Sequence, residues 1–196
     1  MTKARTNADN ASADIQGVTA GTGLSGGGTS GTVTLTVDDT VTATLTGSQT
    51  LTNKTLTTPT LNNAIVKSPE ERWTTSATSA TGTIAFDANT QGALYYTSNA
   101  SGNWTLNVRG DSGTTLSSIL AVGDAITVAF LVTNGGTAYY QTGFQIDGSS
   151  QTIKWSSGTA PASGNASSID AYSFTIIKTA ATPTYTVFGA GPIKYA

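Results

Sequence analysis

The chain has 196 residues, only 10% of them charged, with a formal net charge of -2 and neither histidine nor cysteine. That excludes disulfide scaffolds, thiolate and imidazole metal sites, cysteine nucleophiles and any triad built on histidine, and the nine basic residues are too scattered to form a footprint for nucleic acid. With 22 glycines and about a fifth of the chain threonine, a β-branched residue favoured on strands and poor in helices, an all-β fold is expected.

Residues 1–16 are small, polar and aperiodic, the composition of a flexible tail that orders against a partner. Lys3 and Arg5 imitate the start of a secretory signal, but residues 6–20 supply no apolar core for one, so export by that route is not expected. The longest apolar run, residues 125–132 with one threonine, is far too short to cross a bilayer, and no membrane insertion is expected. Residues 21–28 (GTGLSGGG) formally contain GxGxxG, yet an alternating strand follows where a nucleotide site needs a helix. A tight chain crossing is the better use of those glycines.

Over residues 33–45 the period is two: Val33, Leu35, Val37, Val41, Ala43 and Leu45 share one parity, and Asp38 and Asp39 interrupt them. Two strands and a solvated turn are expected. The paired aspartates lack the further acidic group that an acid-base pair or a Ca²⁺ site would need nearby. Beyond them the period changes. Leu51, Leu56, Leu61 and Ile65 fall about every five residues with Thr, Asn and Pro59 between, a spacing that fits neither helix nor simple strand. It suits a chain returning repeatedly to one axis, each short extended segment contributing one apolar side chain. A single chain cannot bury such a row, whereas several identical chains wound about a common axis can.

All three Trp, seven Tyr and five Phe lie at or beyond Trp73. Aromatic side chains dominate cores, so residues 1–72 are not expected to build a conventional core alone. The boundary is placed at residues 67–72, where Ser68, Pro69, Glu70, Glu71 and Arg72 read as a solvated hinge. Three regions follow: a tail over 1–16, a Gly/Thr-rich β shaft over 17–72, and a β-sandwich domain over 73–196. Within the last, strand-like runs are expected at 82–86, 93–97, 103–109, 125–133, 137–141, 143–147, 151–155, 171–177 and 184–188. Trp104, Leu106 and Val108 share one face of their run, and Asn134-Gly-Gly136 is expected to make a tight turn into 137–140.

Residues 48–64 (SQTLTNKTLTTPTLNNA) resemble the stalk sequences of tailed-bacteriophage fibres, and residues 21–38 resemble the Gly-rich repeat of the same proteins. Residues 153–161 (IKWSSGTAP), 169–174 (IDAYSF) and 185–189 (YTVFG) are similar to a terminal module of phage tail fibres. The resemblance implies a non-enzymatic virion protein: a homotrimer with an N-terminal virion anchor, an intertwined β-rich shaft and a distal antiparallel, jelly-roll-like β-sandwich that meets the host surface. It marks Trp155, Gly158, Pro161, Asp170, Tyr172 and Phe174 as the structural motif of the C-terminal domain. The length fits a short tail fibre, a baseplate or nozzle appendage, or a capsid-attached decoration fibre. The partners it implies are further copies of the chain, another virion protein at the tail, and a host surface glycan or protein.

Trp155 has two readings, a sugar-stacking platform or a core residue in phase with Ile153. Asp170 likewise reads as a ligand or acid, or as the bonding partner of a neighbouring turn. Tyr95-Tyr96 and Tyr139-Tyr140 each send one ring to each face of a strand, offering a glycan contact or a contact between subunits. No catalytic residue, metal ligand or cofactor is expected. A carbohydrate-degrading tailspike would need two carboxylates framing a cleft, and residues 73–196 hold five Asp and no Glu, widely separated in sequence. A cellular lectin would leave the shaft unexplained.

Overall fold

In a computed structural model the described residues are 3–4, 17–29, 31–43, 48, 50–56 and 59–196. Apart from Lys3 and Ala4, the tail expected over 1–16 lies outside them. The chain is mostly β, with 47% of residues in strands and 3% in helix, and it divides into two units, 1–64 and 65–196.

Threonine and glycine decide the first unit. Strands β1 (Val18–Thr19), β2 (Leu24–Gly28) and β3 (Leu35–Val37) form one antiparallel sheet in the order β1-β2-β3. The glycine-rich run is thus a central strand, where a crossing was expected. Gly26 and Gly27 have φ of 103° and 126°, and a Cβ on either would strike the carbonyl of Thr34 or Val18 on the adjoining strand. Where a strand was expected to start at Val41, the chain makes a turn through Thr42, and residues 44–45 of that expected strand lie outside the described residues. The cause of the turn is Asp38, whose Oδ1 accepts from the Thr40 amide at 3.0 Å and hydroxyl at 2.6 Å, while its carbonyl accepts from the amides of Val41 and Thr42. No described residue before Ala80 is buried.

The second unit is built by alternation. Along β7 (Trp104–Arg109), Trp104, Leu106 and Val108 are buried while Thr105, Asn107 and Arg109 are half-buried. Strands β5 (Gly82–Asp87), β9 (Gln141–Ile146) and β10 (Ser149–Ser150) complete a four-stranded sheet in the order β10-β9-β7-β5. Strands β4 (Trp73–Ser79), β6 (Ala93–Asn99), β8 (Ala125–Asn134), β11 (Ile153–Trp155), β12 (Ser168–Ala180) and β13 (Thr184–Tyr195) form a six-stranded sheet in the order β11-β13-β12-β8-β6-β4. The sheets share one core. Trp104 of the smaller meets Phe130 and Tyr172 of the larger with ring centroids 5.8 and 6.0 Å apart, and Phe144 meets Phe174 at 4.8 Å.

The expected antiparallel pairing needs correction. β12 is antiparallel to β8 and β13, and β10 to β9, but β4–β6, β6–β8, β5–β7, β7–β9 and β11–β13 are parallel. From β4 to β9 the chain alternates between the sheets, so each returning strand lies beside the one two before it and runs the same way. Three two-strand coils result, the path of a short β-solenoid closed by the long β12–β13 hairpin. A jelly-roll-like order requires antiparallel neighbours, and five of the eight strand pairs described in this unit are parallel. For the same reason Asn134-Gly-Gly136 does not close a hairpin: β8 and β9 lie in different sheets, and residues 135–140 cross between them. The strand expected over 137–141 is that crossing.

Candidate functional site

Leu51, Leu56 and Leu61 stand 52%, 57% and 61% exposed, outside any strand or helix, and Ile65, the first residue of the second unit, 86%. Asn53 and Asn63, with φ of 54° and 52°, place a left-handed residue between successive apolar ones. Leu24, Leu35, Val37 and Val41 are also exposed. A Leu or Ile left in water forgoes about 1.5 to 3 kcal/mol of burial, and these side chains are exposed in the single chain.

Of the motif residues of the second unit, Asp170 is fully buried. Its Oδ2 accepts from the Asn165 amide at 2.8 Å and from Asn134 Nδ2 at 3.1 Å, and its Oδ1 accepts from Asn165 Nδ2 at 2.8 Å. Asn134 Nδ2 also donates to the Tyr139 carbonyl at 3.0 Å. One carboxylate therefore ties the loop before β12 to the end of β8 and to the crossing into β9. Gly164 sits where any Cβ would strike the Tyr139 carbonyl and crowd Asp170 Oδ2. Both oxygens of Asp170 serve this turn, which is geometry for holding a loop.

Tyr172 and Phe174 point from β12 into the core, stacked at 6.3 Å with 7° between their planes. Burial, with Asp170 close by, pushes the Tyr172 phenol well above its usual range, opposed in part by the Gln141 backbone beside its hydroxyl. Trp155 is half-buried, edge-on to Phe174 at 6.1 Å. The Gly158 amide donates to the Trp155 carbonyl at 2.9 Å in the turn after β11, and Pro161 is half-buried beyond it.

None of the four tyrosines is fully exposed. Tyr96 packs on Phe130 at 5.7 Å, while Tyr95 lies on the outer face of the six-stranded sheet with its hydroxyl 3.3 Å from Thr133 Oγ1. Tyr139 and Tyr140 are in the crossing, not on a strand as expected. Tyr139 packs against the core, and the Tyr140 amide donates to Asn103 Oδ1 at 3.1 Å.

Asp111 and Asp147 line one hollow of about 360 Å³ together with Arg109. Asp147 caps the N-terminus of α1 (Leu116–Ile119), accepting from the Leu116 and Ser117 amides at 2.7 and 3.2 Å. Asp111 accepts from Asn89 Nδ2 at 2.9 Å and the Gly113 amide at 2.8 Å, bonds that hold its carboxyl below the usual range. Asp87 pairs with Arg109 Nε at 2.6 Å, and Asp124 accepts from the Ala121 amide at 2.9 Å. Each of the five aspartates thus braces a turn, a helix end or an arginine.

The sequence reading passed over Lys178, buried on β12, whose Nζ donates to the carbonyls of Ser117 at 2.6 Å and Leu120 at 2.8 Å at the far end of α1. It also missed β4 and the exposed Trp73, Phe188, Ile193 and Tyr195. A lysine inside the apolar run of β12 was the available signal for the first. Comparison of the chain with known protein families, curated proteins and solved structures gives no match in any of the three.

Proposed function

We propose that the chain is a non-enzymatic structural protein of a bacteriophage virion, a short homotrimeric fibre used in host attachment. The observation that carries this reading is the absence of any buried residue among those described before Ala80, combined with the exposed row Leu51, Leu56, Leu61 and Ile65. Fixing each backbone residue costs about 1 to 2 kcal/mol, and one apolar side chain in five offsets that only when partner chains cover it and supply backbone hydrogen bonds. Residues 17–72 are then an intertwined β shaft and residues 1–16 its anchor on another virion protein. The aspartates of the second unit support a non-enzymatic role, since all five carboxylates are engaged by neighbouring groups.

Deletion of residues 1–16 tests the polarity. The truncated protein should keep the mass of the full-length assembly and fail to enter particles. Free protein should compete with phage for host cells. Competition without effect, with incorporation still dependent on the tail, would favour the alternative role of capsid decoration. Entry of the truncated protein into particles would remove the anchor.

A further inference from the structure

The second unit turns two sheet faces outward, and they differ in chemistry. On the four-stranded sheet the outward positions are Thr83, Thr105, Asn107, Gln145 and the ion pair Asp87–Arg109, an ordinary solvated face. On the six-stranded sheet the register aligns Thr75, Tyr95, Leu131, Ala171 and Ile193 in one row, and Trp73, Ala93, Ala129, Ser173 and Ala190 in the next. Phe188 and Thr175 follow beside Lys154, the one charge among these outward positions. Trp73, Phe188, Ile193 and Tyr195 are 50%, 46%, 52% and 57% exposed. Charge depletion with aromatic enrichment is the composition of an interface centre.

We propose that neighbouring copies of the chain cover this face, Trp73 of one copy seating beside Phe188 of the next. The proposal rests on the trimer reading and adds to it the surface and the contact. Six strands about 4.8 Å apart, with about nine residues at roughly 3.3 Å each, give a face of about 700 Å² in projection, against roughly 800 Å² per partner in a stable interface. A nearly uncharged face offers nothing to a charged partner and is complementary to itself. Its ends differ: Trp73 projects from the edge strand β4, and at the opposite edge a hollow of about 360 Å³ is lined by Lys154, Trp155, Ser173, Thr175, Phe188 and Ala190. A projection at one edge and a recess at the other form a heterologous contact, the kind that closes into a ring. In the recess Lys154 Nζ already stands 5.8 Å from the Phe188 ring centroid, placed to lie over a second aromatic ring as well.

Subunit exchange between two fluorescently labelled populations of the full chain tests this. Trp73→Asp and Phe188→Asp should each speed exchange tenfold or more, or leave monomers, because a carboxylate would be buried in the contact. Thr105→Asp, on the opposite sheet, should stay within twofold of the parent. Since Trp73 and Phe188 share one contact, the double variant should exchange no more than about twofold faster than the faster single variant. Effects that multiply would overturn the Trp73–Phe188 pairing. A trimer whose exchange is unchanged by both substitutions, with circular dichroism showing the variants folded, would overturn the face while leaving the trimer reading intact. A parent chain that is monomeric would overturn both.

Discussion

Asp170 is a fully buried carboxyl whose oxygens accept from three N–H donors of Asn134 and Asn165. Removing the carboxyl leaves both Asn165 donors without their acceptor, so Asp170→Ala should lower stability by about 3 kcal/mol in a urea titration. A loss under about 1 kcal/mol would show that the loop is held by something else. Tyr172, its neighbour, makes a pH prediction. Its folded-state ionisation lies above that of the unfolded chain, near pH 10. The folded state therefore keeps the proton longer, and the associated stability is intact below about pH 10 and lost as pH rises beyond it, at about 1.4 kcal/mol per pH unit. Tyr172→Phe removes this loss. The variant should match the parent at pH 7 and lose stability less steeply above pH 10. Parallel alkaline curves for the two proteins would contradict the assignment.

At the scale of elements, alternation made many strands legible but not their partners. Trp104, Leu106 and Val108 mark one face of β7 from sequence alone, and β8 is recognisable from its long apolar run. Nothing local in either distinguishes a parallel from an antiparallel neighbour, because the side-chain period is two in both. The parallel coils follow from the crossings, and the crossing at 135–140 reads in sequence as a hairpin turn. β4 (WTTSATS) was missed because an edge strand with exposed faces needs no apolar alternation. Helix α1, four residues long, is too short for any periodic signal and is held at its two ends by Asp147 and Lys178, from β strands or turns far along the chain. Of the candidate site, the row Leu51, Leu56, Leu61 and Ile65 was readable because its spacing is a property of sequence. The six-stranded outer face was not, since its residues come from six separate strands. An assembly built on the row predicts that Leu56→Asp lowers the assembly's melting temperature and promotes its dissociation, while Asn62→Asp, between the apolar positions, does neither. Equal tolerance of both would place Leu56 in solvent.

For the whole molecule, the two units have different sources of order. Residues 65–196 enclose the core formed by both sheets, with Phe86, Trp104, Phe130, Tyr172 and Phe174 almost fully buried. The described part of residues 1–64 has a three-stranded sheet but no buried side chain. In the proposed reading, other chains cover the apolar side chains of Leu51, Leu56, Leu61 and Ile65 that stand exposed in one chain. The account therefore stands on the number of chains in the assembly, and the mass of the purified full-length protein by multi-angle light scattering tests it most directly. The predicted result is about 59 kDa, three times the 19.8 kDa of one chain, unchanged on dilution through the micromolar range. A stable species near 20 kDa, folded by circular dichroism, would contradict it.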